Sequence, residues 1–321
     1  MFNRILVPLD RSPLAECVLP HAIALARTTD AELLFLHVLS LPNQQDGLRA
    51  VDAMEWQLRR AEAESYLQGV CARVDAAGVT CTMQVNDGDA AEQIIACARD
   101  SGAGLVLIAS HGQSGPSAWH VSSVVQKVIV RASVSFLIVR ANQAVQTDIA
   151  DFRYQRVLAP LDSSARAECV LPLAAALARV FDTRVLLAHV VQRPQMPRRT
   201  PPSREDSELA DRVVERNFAE ATHYLEVVRS QLPHAAIETR LLVSYHVAET
   251  LHELVHQEQS DLVLVSAHGY SAQMERPYGG LVASFVAYGA SPLLVFQDAP
   301  DDQAVRMQTR TAAAERTNGR P

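Results

Sequence analysis

The sequence predicts an α/β protein built as two similar domains, each a parallel sheet with helices on both faces. Two observations carry this. Short apolar runs alternate with segments of helical spacing, the pattern of βαβ units. The pattern then repeats: Leu9 to Arg27 reads LDRSPLAECVLPHAIALAR and Leu161 to Arg179 reads LDSSARAECVLPLAAALAR, with 14 of 19 positions identical at an offset of 152. His37 and His189 keep that offset, whereas Gly112 and Gly269 are 157 apart, so five residues were added between, in the Pro/Arg-rich stretch from Arg193 to Arg204. A period of that length means a duplicated domain, not a solenoid.

Each element has its own signal. Ile5 to Leu9 is an apolar run ending in Asp10, a strand buried on both faces. Ser12 reads as an N-cap with Pro13 at the first helical position, Glu16 favours the positive helix end, and Ala15, Val18, Leu19, Ala22, Ile23 and Ala26 recur at helical spacing. Leu33 to Leu39 is a second strand. Leu48 to Val74 carries a long amphipathic helix with Leu58, Ala61, Tyr66, Leu67, Val70 and Val74 toward the core. Val79 to Val85 is a strand, Asp89 to Ala98 a helix, Leu105 to Ala109 a strand, Ser122 to Arg131 a helix and Phe136 to Val139 a fifth strand. The expected bounds are residues 1–141 for the first domain, 142–153 for a polar linker, 154–298 for the second domain and 299–321 for a disordered, charged tail. The fifth strands, Phe136-Leu137-Ile138-Val139 and Leu293-Leu294-Val295-Phe296, are too apolar for open sheet edges. They are expected to meet each other, within one chain as a pseudo-dimer or between chains as a further homodimer.

The bulk composition excludes several classes. Apolar residues make up 48% and charged residues 20% of 321, the balance of a water-soluble globular protein. The net charge of −7 argues against nucleic acid or anionic membrane as the partner. No run of 18 apolar residues exists, and MFNRILVPLD leads directly into a strand, so neither a membrane span nor an export leader is expected. Five cysteines without a CxxC pair fit a reduced, cytoplasmic protein, with Cys17 and Cys169 as small helix hydrophobes.

Ligands of an open parallel sheet bind beyond the carboxyl ends of its strands. The first and fourth strands of each half end in polar turns: Asp10 and Ser110-His111-Gly112 in one, Asp162 and Ala267-His268-Gly269 in the other. If these strands are neighbours, acid and glycine turn share one crevice. A strand, a small-residue turn and a helix start nine residues on form a plausible phosphate cradle. For Asp10 and Asp162 a turn or cap role stands beside ligand contact. His111 and His268 are read as tying their turns, and His37 and His189 as core or crevice-wall residues. No nucleophile stands at a recognisable elbow, no Walker-type GxxxxGK[ST] is present, and no HxH or HxxxH spacing marks a metal, so no dedicated catalysis is expected.

The openings ILVPLD and VLAPLD, the strands LFLHVL and LLAHVV, the turns LVLIASHG and LVLVSAHG, and the closing VSFLIVR and SPLLVFQ together resemble the universal stress protein family, over both halves to about Gln297. The resemblance implies flavodoxin-like domains of the HUP type, with strand order 3-2-1-4-5, dimerisation through the fifth strand, and a regulatory role in stress adaptation. It also implies binding of an adenine nucleotide in some members, here ATP with Mg²⁺. The family motif G-x2-G-x9-G-(S/T) falls on Ala109, Gly112, Ser122 and Ser123 in the first half and on Ser266, Gly269, Gly279 and Gly280 in the second, incomplete in both. The implied site in the first half comprises Pro8, Leu9, Asp10, Val38, Gly88, Ala109, His111, Gly112, Ser122 and Ser123. A less favoured second site comprises Asp162, Val190, Ser266, His268, Gly269, Gly279 and Gly280, with Tyr245 in place of Gly88 and expected to crowd the crevice. Trp119 and His120 are candidates to cover the first crevice, and Arg276 to reach a phosphate in the second. The alternative is an interaction module whose crevices are structural and which recruits an unknown protein partner, with the arginine-rich stretch Arg193 to Arg204 as a mobile docking loop.

Overall fold

The computed structural model describes residues 1–40, 53–112, 121–131, 134–141, 149–195, 203–232, 234, 236–270 and 277–297. The first half runs β1 (Arg4–Pro8), a 3₁₀ turn (Ala15–Val18), α1 (Leu19–Thr29), β2 (Glu32–Leu39), α2 (Ala53–Ala76), β3 (Cys81–Asp87), α3 (Ala90–Asp100), β4 (Leu105–Ala109), α4 (Ser123–Arg131) and β5 (Ser135–Val139). The second half repeats it: β6 (Arg156–Pro160), a 3₁₀ turn (Ala167–Val170), α5 (Leu171–Phe181), β7 (Arg184–Gln192), α6 (Arg204–Gln231), β8 (Ile237–Ser244), α7 (Val247–Gln257), β9 (Leu262–Ser266), α8 (Gly280–Tyr288) and β10 (Leu293–Phe296).

The ten strands form one sheet in the order β3-β2-β1-β4-β5-β10-β9-β6-β7-β8. Each half has the order 3-2-1-4-5, and pairing within each half is parallel. The halves join where β5 and β10 run antiparallel, with Leu293 opposite Ile138, Leu294 opposite Leu137 and Val295 opposite Phe136. The two apolar edges foreseen in the sequence thus cover one another inside the chain. The outer edges, β3 and β8, are half-exposed and carry polar residues such as Thr82, Gln84, Glu238 and Arg240, which suits an open edge. Because the seam is antiparallel, the carboxyl ends of the strands in the two halves point to opposite sides of the sheet.

Alternation along the strands separates two layers. Ile5, Val7, Leu33, Phe35, Leu105, Leu107 and Leu137 pack with α1, α2, α5 and α6 on one face. Leu6, Leu34, Leu36, Val106, Ile108, Phe136 and Ile138 pack with α3, α4, α7 and α8 on the other. Both layers run across the seam. Side chains reinforce it: Arg140 Nη2 donates to the carbonyls of Phe285 (2.8 Å) and Val286 (3.1 Å) in the last turn of α8, and Gln297 N donates to Ser135 Oγ (3.1 Å). A guanidinium at a helix C-terminus satisfies orphan carbonyls and complements the dipole. Burial lowers the Arg140 pKa from its ordinary value.

Several sequence expectations change. The first α-helix does not begin at Ser12-Pro13. Ser12 Oγ accepts from Ala15 N (3.0 Å), but it leads into a 3₁₀ turn, and α1 starts at Leu19 with Pro20 in its first turn. Glu16 serves tertiary contacts instead, accepting from the Tyr66 hydroxyl (2.9 Å) and Arg73 Nη2 (2.9 Å). In α2 the buried stripe is Ala63, Leu67, Val70 and Val74; Leu58 is 60% exposed and Ala61 is also exposed. The expected Leu67, Val70 and Val74 are buried and Tyr66 packs against the core, so only the two N-terminal candidates fail. The linker is not featureless at its end. Tyr154 is fully buried, its hydroxyl 2.8 Å from His21 Nδ1, with Phe152 edge-on to both rings. The ends of the arginine-rich segment are anchored: Arg193 pairs with Asp211 (2.8 Å), and Ser203 and Asp206 form a capping box ahead of α6. Arg198, Arg199 and the residues of the tail lie outside the described residues.

This packing makes two predictions. Ile138→Glu places a charge on a fully buried seam position, and is expected to lower the urea midpoint and to expose an edge that associates in size-exclusion chromatography. Unchanged midpoint and elution would remove the seam from its structural role. Burial pushes the His21 pKa down to about 3 from an ordinary 6.5. The unfolded chain therefore takes the proton first, and His21 contributes stability above the ordinary value that is lost as pH falls from 6.5 toward 3. Thermal melts across that range should show an acid limb that is shallower in His21→Gln.

Candidate functional site

β1 and β4 are neighbours, so their polar turns converge. The turn after β1 is tight. Asp10 Oδ1 accepts from Ser12 N (3.0 Å) and Ser12 Oγ (2.6 Å), an Asx-type closure that holds Arg11 at φ 69°. The same geometry recurs at Asp162, with Ser164 N at 3.1 Å, Ser164 Oγ at 2.5 Å and Ser163 at φ 65°. The other carboxylate oxygen faces the glycine turn. A Cβ built on Gly112 would lie 1.8 Å from Asp10 Oδ2, and one on Gly269 would lie 2.1 Å from Asp162 Oδ2. Tyr270 N donates to Asp162 Oδ2 at 2.6 Å. Neither glycine has a positive φ, so both are needed for space and not for backbone freedom.

Ser110, which no motif position singles out, ties the first turn to the seam. Its N donates to the Val139 carbonyl (2.8 Å), its carbonyl accepts from Ser122 N (2.8 Å), and its hydroxyl accepts from Ala141 N (3.0 Å) and lies 3.1 Å from His111 Nδ1. That last contact is the turn-tying role expected of His111. In the second half Ala267 keeps only the backbone bonds, from Ala267 N to Phe296 O (2.6 Å) and from Gly279 N to Ala267 O (2.7 Å).

Above the first-half turns lies a cavity of about 760 Å³, within the range of about 300–1,000 Å³ usual for small-molecule sites. Pro8, Leu9, Asp10, Val38, Ala109, His111, Gly112, Ser122 and Ser123 all line it. Gly88 does not. Its φ of +136° serves the turn into α3, its N donates to Leu39 O (2.9 Å), and the lining residue there is Ala90. His37 also lines the cavity, with Nδ1 2.7 Å from the Leu9 carbonyl, and burial lowers its pKa. Ser122 caps α4, its Oγ accepting from Val125 N (3.3 Å), and leaves the exposed Ser123 as the first helical residue. Trp56, Arg59 and Glu62 from α2 and Arg11 from the turn after β1, which belong to no motif in the sequence, line it as well. Trp119 and His120 lie outside the described residues.

The second half is arranged differently. An opening of about 700 Å³ lies between the start of α7 and the end of α8, lined by residues including Tyr245, His252, Ser284 and Tyr288. Tyr245 does not crowd the crevice: it is 46% exposed, with the Arg193 guanidinium 5.8 Å over its ring. Around Asp162, His268 is half-buried and Val190 packs on the core. The Ser266 hydroxyl is buried with no hydrogen-bond partner among the described residues. Gly279 caps α8 at φ −78°, an ordinary value, so serine at the matching position 122 brings no backbone strain. Gly280 has open space where a Cβ would stand. Arg276 lies outside the described residues. All five cysteines are free thiols, and burial raises Cys17 to about 12. Among the described residues no helix is long and apolar enough to cross a membrane.

With this geometry in view, the model of the universal stress protein family matches residues 1–140 and again 153–297. The chain is 28% identical over 151 residues to universal stress protein Sll1388 of Synechocystis, covering 98% of that protein and 43% of this chain. It is 28% identical over 149 residues to universal stress protein YxiE of Bacillus subtilis, covering 100% of it and 44% of this chain. Such relatives have the length of one half. A solved universal stress protein from Archaeoglobus fulgidus DSM 4304 aligns with 92% of this chain and 98% of its own at a TM-score of 0.63 and 18% identity, a likeness of fold alone.

The two kinds of glycine predict opposite outcomes. Gly112→Ala drives a methyl into the Asp10 carboxylate and is expected to destabilise the protein by about 1–3 kcal/mol. Gly280→Ala meets nothing and sits in a helix, so it is expected to be neutral or to stabilise by about 0.5–1 kcal/mol. Urea denaturation of the two variants checks both signs.

Proposed function

The chain belongs to the universal stress protein family, and from that premise we propose that its first half binds an adenine nucleotide, ATP with Mg²⁺, and that the protein acts as a regulator in stress adaptation, not as a dedicated enzyme. One observation supports the reading above all: the turn after β1, the turn after β4 and the start of α4 line a single cavity of nucleotide size. Ser123 stands at the N-terminal end of α4, where backbone N–H groups and the helix dipole favour phosphate. Ala109 and Ser122 replace two motif glycines, and neither position has a positive φ, so the cradle keeps its backbone shape. Leu9, Val38 and Ala109 supply an apolar floor for a base.

Binding without designed turnover is the reading that fits the titratable groups. His37 is turned to the Leu9 carbonyl and held neutral by burial, and His111 is engaged with Ser110. Asp10 closes its own turn with one oxygen and abuts the glycine turn with the other, so it acts as a strut that also borders the ligand space. Among the described residues no three His, Cys, Asp or Glu side chains gather to hold a metal; Mg²⁺ would enter with the phosphates it neutralises. The second half, which has Gly280 in place of the Ser123 hydroxyl, is the structural partner.

The expected outcome is adenine nucleotide released on denaturing the purified protein, and a saturable heat on titration with ATP and Mg²⁺. Gly112→Val and Asp10→Ala should weaken binding about tenfold or more, and Gly269→Val and Asp162→Ala far less. No binding at millimolar ATP overturns the reading, and equal effects in the two halves overturn the assignment to the first.

A further inference from the structure

Resting on that reading, we propose that Trp56, Arg59 and Arg11 form the recognition wall of the first-half cavity, and that they select a ligand carrying both an aromatic base and phosphate. The first turns of α2 point at the crevice and the rest of the helix is committed to the core. Trp56, Arg59 and Glu62 are three residues apart, so they share one side of α2, and all three line the cavity. Ala63, Leu67, Val70 and Val74 are buried beneath. Arg11 enters the same cavity from the left-handed position after Asp10. The indole offers a stacking face to a base, and the guanidiniums offer planar donors to phosphate oxygens.

Both guanidiniums are held in the absence of ligand by contacts that a phosphate can displace. Arg59 Nη2 is 2.5 Å from Glu55 Oε1, and Arg11 Nη2 is 3.1 Å from Glu62 Oε2. These are solvent-exposed ion pairs, which contribute little.

The duplicated half serves as an internal control. Matching the buried Ala63, Leu67 and Val70 to Ala221, Leu225 and Val228 places Val214 at Trp56 and Asn217 at Arg59, and the 152-residue offset of the preceding segment places Ser163 at Arg11. Val214 is buried in a small cluster with Val191 and Ala221. At the matched positions the second half thus carries neither the aromatic nor the two cations, a difference independent of the glycine motif. In the first half, guanidinium charge compensates for the closer backbone approach that the missing glycines would allow.

Trp56 is one of two tryptophans, so in a Trp119→Phe background its emission reports the cavity directly. Titration with ATP and Mg²⁺ should change that emission saturably. By calorimetry, Trp56→Ala should weaken both ATP and adenosine about tenfold or more, and Trp56→Phe should restore most of the loss. Arg11→Gln combined with Arg59→Gln should weaken ATP about tenfold, flatten its salt dependence, and leave adenosine unchanged. The arginine positions are exposed, so this variant tests the wall even if Trp56→Ala fails to fold. ATP affinity undiminished in the double arginine variant, or adenosine weakened as much as ATP by it, overturns the inference alone. Absence of ATP binding by the unsubstituted protein overturns the nucleotide reading and the wall with it.

Discussion

The antiparallel pairing of β5 with β10 is the constraint on which the rest of the molecule depends. Without it each half would end in an unpaired strand whose residues are almost all apolar, with backbone donors and acceptors unmatched. With it, Phe136, Leu137 and Ile138 face Val295, Leu294 and Leu293, two sheets become one, and both hydrophobic layers run through the join. The reinforcing contacts come from the residues bordering the strands: Arg140 on the last carbonyls of α8 and Gln297 N on Ser135. Duplication makes such a seam available inside one chain, because both copies carry the same apolar edge. Its antiparallel sense also separates the crevices, so the two halves cannot share one ligand and were free to diverge.

That divergence separates what the fold requires from what a ligand requires. Both halves keep the aspartate after the first strand and the glycine after the fourth, and the reason is steric: the carboxylate fills the space a glycine Cβ would occupy. Both keep a residue in the left-handed turn behind the aspartate, at Arg11 and Ser163, held there by the Asx-type closure. These shared features explain the turn without reference to nucleotide. Among the features that differ are Ser110 against Ala267, Trp56 against Val214 and Arg59 against Asn217. Trp56 and Arg59 line one crevice, giving it an aromatic side chain and positive charge, and Ser110 anchors the turn that borders it.

Much of this was legible in the chain before folding. The α/β class, the duplication, the strand cores and the polar turns are properties of short segments, where alternation, helical spacing and turn residues act locally. The candidate residues Pro8 through Ser123 come from the family resemblance, and the adjacency of β2, β1 and β4 brings all but Gly88 to the cavity. What the sequence left open concerns contacts between segments far apart. Helical spacing phases the second part of α2, where Leu67, Val70 and Val74 are buried, but not its first turns, where Leu58 and Ala61 are exposed and Trp56 and Arg59 reach the cavity; only packing of α2 on the sheet sets the facing there. Nor could the sequence tell whether Gly112 was needed for φ or for room, because the colliding atom belongs to Asp10, about a hundred residues away along the chain. It offered the pairing of the fifth strands without choosing between one chain and two. The linker's Tyr154 buried against His21, and the register of three apolar pairs across the seam, made that choice in the folded state.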